Sequence, residues 1–449
     1  MPKRRWGKKP GRGAWERFVA RIALMASLAL VVSAGGWWFS PGGPVSAHTR
    51  ETALVHTQAP RRRARALGVM TSTRATVSPS SRRSQALTRV SRLRRGHGKR
   101  RTAQGDRRDS ADLGVHAASR AVSSGSGPIV VEFSQPIKTP HLAAWRITPG
   151  IAGRWKALTP RTYAFTPSAP FGFGPGATVR LVIPAGERGP VSVAGATLER
   201  AVSLTWQTPS GSILRLQELL AEEGYLPVAF SPDKPPNPRT LASEVQALYQ
   251  PPGGHFVWKY PNLPSQLKAL WTVGSMNVIT EGALMQFQRA QGMDPNGMLT
   301  PSVWRALILD RLRGKTSPYP YTYIWVTETE PETLELWVDN KLVLKTLCNT
   351  GIPQSPTELG TYPIYERLPF QVMQGVNPWG QPYADPVHWI NYFYGGDAVH
   401  GFVRAAYGFP QSLGCVEVPV SVAPLIYQTV HYGTLVTVNP VGVPVAPGR

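Results

Sequence analysis

The stretch HGFVRAAYGFPQSLGCVEVP, residues 400–419, holds Cys415, one of only two cysteines in a 449-residue chain. A glycine precedes it, and a histidine lies fifteen positions upstream. A thiol attacks carbonyls as thiolate, and a free cysteine is mostly protonated near neutral pH. A neighbouring imidazole can take that proton. The oxyanion formed by attack then needs backbone N–H donors, and Gly414 lets the chain approach without an obstructing side chain. His400 and Cys415 are therefore a candidate base and nucleophile. The same spacing is compatible with unrelated packing, so the surrounding residues decide the reading.

Those residues occur in a fixed order: NTG (349–351), PTELGTY (356–362), VHWINYFYGGDAVHG (387–401), YGFPQSLGCVEVP (407–419) and GTLVTV (433–438). The series resembles the catalytic domain of L,D-transpeptidases, the YkuD-type fold, over essentially all of 321–440. The resemblance implies a mostly-β domain in which Cys415 is the nucleophile and His400 its base. It implies that the other imidazole nitrogen is held by the Gly401 carbonyl. The N–H groups of Leu413, Gly414 and Cys415 would form the oxyanion hole, and Ser412 would brace the loop. Tyr383, Trp389 and Tyr392 are candidates to line the substrate pocket, or equally core aromatics. Residues 366–388 are a candidate lid. No metal or organic cofactor is implied, and the scattered histidines lack metal-ligand spacing.

Three positions depart from the family pattern. Leu413 stands where the family usually has His before the Gly-Cys pair. Glu417 stands two after the cysteine, where Arg or Asn is usual. A carboxylate there raises the thiol's pKa, unless it faces the ammonium of an acceptor amine. The TPxG turn appears as Thr357-Glu358-Leu359-Gly360. Cys348 reads as a small buried apolar residue, with a redox pairing to Cys415 as the alternative.

The formal charge of +23 is uneven: 26 basic and five acidic residues in 1–125 leave +2 for the rest. Residues 1–17 are a basic segment, expected to be cytoplasmic. Residues 18–40 hold an apolar run from Ile22 to Phe39, about 27 Å long as a helix, with Trp37 and Trp38 at its far end. This reads as a transmembrane anchor, or as a signal segment with a small-residue site at Val45-Ser46-Ala47. Either reading exports the rest of the chain. Residues 41–125, rich in Arg, Ser, Ala and Thr, are expected to form a disordered basic linker. Its charge suits anionic wall polymers or lipids. Nucleic acid is not expected, for want of aromatics between the arginines.

Between linker and catalytic domain lie two further segments. Residues 126–208 are short alternating runs broken by Pro and Gly, the pattern of an Ig-like β-sandwich. Residues 210–312 turn helical, with Gly224 and Gly292 as stops and Thr300-Pro301 as an N-terminal signal. LQELLAEEGYLP and ALMQFQRAQGMDPNGMLTPSVWRAL resemble the small three-helix peptidoglycan-binding domain of cell-wall enzymes, here with an insertion at 228–278. GKTSPYP (314–320) reads as a linker, and the catalytic domain spans 320–440.

The chain thus reads as a multidomain, extracytoplasmic cell-wall protein acting on peptidoglycan stem peptides. The resemblance implies an acyltransferase that forms 3→3 cross-links through a Cys415 thioester. Two alternatives stay open: a catalytically impaired wall-binding scaffold, and an L,D-carboxypeptidase that releases the thioester to water.

Overall fold

The computed structural model describes residues 112–119, 122–234 and 239–439. The segments expected at 1–17 and 18–40, and most of the expected linker, lie outside the described residues. Among the described residues no helix is long and apolar enough to cross a membrane.

An edge strand of the sandwich lies at 115–117, within the stretch 41–125. Val115–Ala117 pairs antiparallel with Ile129–Phe133, and Leu113 and Val122 are buried in the core. A short apolar tail on a polar linker is enough to extend a sheet edge. A four-stranded and a three-stranded sheet contribute to one core, with Ile129, Val131 and Phe165 from the first and Val179, Leu181 and Trp206 from the second. Alternation places every second residue on the inner face.

Three helices come next: α1 (Ile213–Glu222), α2 (Val278–Ala290) and α3 (Pro301–Arg313). Leu216, Leu219 and Leu220 of α1 pack against Leu284 and Phe287 of α2 and Leu307 and Ile308 of α3. Gln217 is fully buried and satisfied: its amide donates to Thr272 O, Ser275 O and Thr280 Oγ1 and accepts from the Gly274 N–H. It staples α1 to the turn before α2. The Thr300 side chain accepts from the Val303 N–H, with Pro at the start of α3. The insertion adds a hairpin, Val228–Pro232 with Gly254–Trp258, and the short helices Leu241–Ala247 and Ser265–Ala269. A cleft of about 330 Å³ between the sandwich and this insertion, lined by Ser124, Gln246 and Tyr249 among others, contains none of the candidate site residues.

The C-terminal domain is two sheets face to face. Its strands are β1 (Thr322–Thr327), β2 (Thr333–Val338), β3 (Lys341–Leu347), β4 (Gly360–Pro363), β5 (Glu366–Val376), β6 (Pro382–Tyr394), β7 (Asp397–Gly401), β8 (Val416–Val418) and β9 (Leu435–Asn439). One sheet runs β3-β2-β1-β9-β4 and the other β5-β6-β7-β8. Helix α4 (Ala423–Thr429) closes the core between them.

β1 serves two cores. Ile324 and Val326 face the catalytic core, while Tyr323 and Trp325 join the core of the helices. The expected linker 314–320 is pinned accordingly: the Ser317 N–H donates to Glu223 O at 2.7 Å, and Tyr319 stacks on His431 at 4.2 Å. At the seam α2 meets the turn before β9 so closely that a Cβ on Gly282 would sit 2.4 Å from the Gly433 carbonyl oxygen.

Gly→Ala inside a helix ordinarily stabilises by about 1 kcal/mol. Gly282→Ala should instead destabilise by about 1–3 kcal/mol through overpacking against backbone. Urea unfolding of the variant beside the wild type reads the sign directly.

Candidate active site

The site forms where β7 and β8 run side by side in parallel. Val399 pairs with Val416, His400 with Glu417 and Gly401 with Val418. One step back, the same register sets Cys415 opposite Ala398. Paired residues share a face, and the next on that face is two positions on. Cys415, Ala398, His400 and Glu417 therefore share one face, with thiol and imidazole as diagonal neighbours. Tyr392, paired with Ala398 across β6 and β7, extends the row.

The turn that presents Cys415 is held from below. The Gln411 and Ser412 N–H groups donate to Thr350 O at 3.0 Å, and the Ile352 N–H donates to Ser412 O at 3.0 Å. Asn349 and Glu417 exchange two backbone bonds of 2.9 Å. The NTG motif is thus the rung on which the Cys415 loop rests. Glu332, 0 % exposed, anchors the rung: its carboxylate accepts the Thr350 N–H and hydroxyl, each at 2.7 Å. Thr357 continues the chain of support by accepting the Gly351 N–H at 2.8 Å.

Within the turn, Ser412 Oγ donates to Cys415 O at 2.5 Å and accepts the Gly414 N–H at 3.2 Å. One of the three expected oxyanion donors is therefore already engaged. The Leu413 and Cys415 N–H groups are the remaining ones. Gly414 has φ +114°, and a Cβ there would lie 2.6 Å from Asp397 Oδ1, so the position requires glycine on two counts.

His400 is 3 % exposed, and its Nδ1 lies 3.2 Å from the Gly401 carbonyl oxygen. With Nδ1–H donating to that carbonyl, Nε2 carries the lone pair. Burial lowers the pKa of His400 below its ordinary value, with the Gly401 bond and Glu417 acting against that. The Cys415 residue is only partly exposed, and burial pushes its thiol up to about 12, helped by Asp397 and Glu417 and opposed by the Ala398 N–H. The resting pair is a neutral thiol beside a neutral imidazole.

Glu417 is 4 % exposed, and both its oxygens are taken: Arg404 Nε and Nη2 donate to them at 2.7 Å each. Of the candidate pocket aromatics, Tyr383 and Tyr392 lie close enough to Cys415 for its charge to raise them further, beyond the effect of their burial. Trp389 has φ +63° and packs on Tyr427 at 5.4 Å, against the core with α4. Cys348 is buried and free, with its thiol raised well above the ordinary value by burial. The expected lid is a long hairpin of β5 and β6, with Trp379 at its tip 65 % exposed.

Three neighbours of the site went unread in the sequence. Tyr365 donates to Gly395 O at 2.5 Å and feels the charge of Cys415. Asp397 lies against Gly414 and accepts the Glu358 N–H at 2.9 Å; burial pushes its carboxyl up to about 6. Arg404 was hidden by its place in a loop between two strands, thirteen positions from the Glu417 that it meets. Among the described residues no cluster of three or more His, Cys, Asp or Glu side chains could hold a metal ion.

The domain is thus two packed sheets with a thiol and an imidazole as diagonal neighbours on one face of a parallel ladder. Residues 321–438 match the family model of the L,D-transpeptidase catalytic domain, YkuD, and that segment belongs to this family. Among solved structures, the chain is similar to the catalytic domain of an Enterococcus faecium L,D-transpeptidase: 28% identity over 26% of this chain and 95% of that one, TM-score 0.25. It is also similar to an L,D-transpeptidase from Mycobacterium smegmatis, at 15% identity over 73% and 99% of the two chains, TM-score 0.25. A third is L,D-transpeptidase 3 from Mycobacterium tuberculosis, at 14% identity over 72% and 99%, TM-score 0.26. At such TM-scores these likenesses place no residue. No curated protein matches the chain.

Removing the Glu332 carboxylate strands the buried Thr350 N–H. Glu332→Ala should cost about 2–3 kcal/mol in urea unfolding. The neutral resting pair has its own signature. Iodoacetamide alkylation of Cys415 should rise about tenfold per pH unit from pH 7 to 10 without levelling. A plateau in that range, read by mass spectrometry, would instead mean a preformed thiolate–imidazolium pair.

Proposed function

We propose that this chain is a cell-wall L,D-transpeptidase using Cys415 as a covalent nucleophile. The observation that carries the reading is the parallel pairing of β7 with β8, which sets Cys415 diagonal to a His400 whose Nδ1 is satisfied by Gly401. The family match of 321–438 supports the reaction class.

In this reading Cys415 Sγ attacks the carbonyl of the L-centre in a tetrapeptide stem as its proton passes to His400 Nε2. The Leu413 and Cys415 N–H groups receive the oxyanion. The imidazolium returns the proton to the leaving amine, the C–N bond breaks, and D-alanine departs from the thioester. The side-chain amine of a diamino acid on a second stem then attacks. It loses its proton through His400, forms the 3→3 amide and regenerates the thiol. Because the resting thiol is held near pKa 12, attack and deprotonation are coupled rather than sequential. The hairpin of β5 and β6 serves as the lid, bringing Tyr383 towards the bound stem.

The remaining segments fit the same task. The helices α1 to α3 bind peptidoglycan, by their resemblance to wall-binding domains. The basic arm and its apolar run tether the protein outside the cytoplasmic membrane, and the linker adheres to anionic wall polymers or lipids. Two observations favour the impaired-scaffold alternative: the charges of Asp397 and Glu417 both raise the thiol, and Gly414 donates its N–H to Ser412 instead of an oxyanion.

Intact-mass analysis with a carbapenem separates the two. The expected result is one covalent adduct per chain, lost in Cys415→Ala. A folded, reduced protein that takes no adduct would establish the scaffold reading instead.

A further inference from the structure

Two residues beyond the nucleophile, on the same face as His400, lies a buried carboxylate. Bare, Glu417 would be costly to bury and would oppose negative charge on the sulfur. Arg404 meets it with a two-pronged contact, both bonds 2.7 Å. The same guanidinium donates from Nη2 to Gln411 O at 3.2 Å, at the entry to the nucleophile turn. It also lies over the Phe402 ring at 4.7 Å, and that ring stands edge-on to His400 at 6.0 Å. Its backbone N–H donates to the Tyr407 hydroxyl, which in turn donates to Phe402 O. One side chain therefore touches the turn, the nucleophile's strand and the aromatic neighbour of the base.

Resting on the acyltransferase reading above, we propose that Arg404 is a positioning residue of this site, which acts through Glu417 and Phe402 to keep the Cys415–His400 pair beside a neutral ion pair. Transfer of the proton from Sγ to Nε2 creates a thiolate and an imidazolium. Next to a neutral Arg404–Glu417 pair neither new charge is favoured over the other. Without Arg404, Glu417 repels the thiolate and holds the imidazolium. Without Glu417 both effects reverse. The directions agree: Glu417 raises and Arg404 lowers His400, and Glu417 raises Cys415. The other groups facing this set are Asp397 towards Cys415, Asp385 and Tyr407 towards Arg404, and Tyr365, Tyr383 and Tyr392 around the thiol. None of them meets Glu417 in a salt bridge among the described residues.

The test uses the full chain, reduced, as wild type, Arg404→Met, Arg404→Lys, Glu417→Gln and the double variant R404M/E417Q. Two rates are read by mass: iodoacetamide alkylation of Cys415 at pH 8, and carbapenem acylation against pH. R404M should alkylate at least about fivefold more slowly and shift the acid limb of acylation to higher pH. E417Q should move both the opposite way. The double variant should return to within about twofold of wild type, since removing both charges restores neutrality. R404K should fall between, keeping the charge without the fork. The proposal is overturned if R404M behaves as wild type, or if the double variant is as slow as R404M, which is the mark of a merely structural role. Should R404M fail to fold, the double variant and R404K are judged against wild type, and a double variant at least about fivefold slower than wild type overturns the proposal. A wild type that shows this alkylation pattern but takes no carbapenem would sink the acyltransferase reading and leave the Arg404–Glu417 coupling standing.

Discussion

A carboxylate that never meets solvent governs the geometry of the Cys415 turn. Glu332 grips the Thr350 amide and hydroxyl, and Thr350 in turn receives the Gln411 and Ser412 amides. The Cys415 turn is thus positioned from the β1–β2–β3 sheet, not from its own. A buried acid is an expensive way to hold a loop, and its pKa is raised by burial despite the two Thr350 bonds. What it provides is direction: both oxygens fix one residue, and that residue fixes the register of a segment with little ladder of its own. The Asn349–Glu417 and Gly351–Ser412 bridges are consequences of that register.

The electrostatics of the site are lopsided. Burial, Asp397 and Glu417 all disfavour a thiolate, and only the Ala398 N–H favours it. Burial likewise keeps His400 neutral. Such a pair stores no charge at rest. Its reactivity lies in how well the neutral pair accommodates charge at the moment of attack, which makes the surrounding dipoles more important than any resting pKa.

Much of this was legible in the residues. The alternation in 128–208, the glycine stops at 224 and 292 and the Thr300-Pro301 start each report a local backbone preference, and such preferences act over a few positions. The series NTG, HG and SLGC could be read because all three lie close to one backbone scaffold. Contacts between distant side chains could not. Glu417 on its own looks like a substrate group, and only the fold of the loop at 402–415 reveals that Arg404 has claimed it. Trp389 stands among tyrosines in sequence, but an irregular backbone turns it towards α4. Asp397 gains meaning only from register, which sets it across from a residue without a side chain. The edge strand at 115–117 was not legible for a different reason: composition reports average polarity, and Leu113, Val115 and Ala117 pack on the sandwich core from within a polar stretch.

The meeting of Gly282 with Gly433 has a consequence for how such a protein can vary. Two backbones in contact tolerate neither a larger residue nor a change in spacing, so the helices and the catalytic sheets share a fixed bearing. Extra length already lies upstream of that contact, in the hairpin and short helices of 228–278. It cannot be added at 314–320, which looks like a hinge in sequence but behaves as a rivet. The three helices and the strands that carry Cys415 and His400 are therefore held at a single angle to each other.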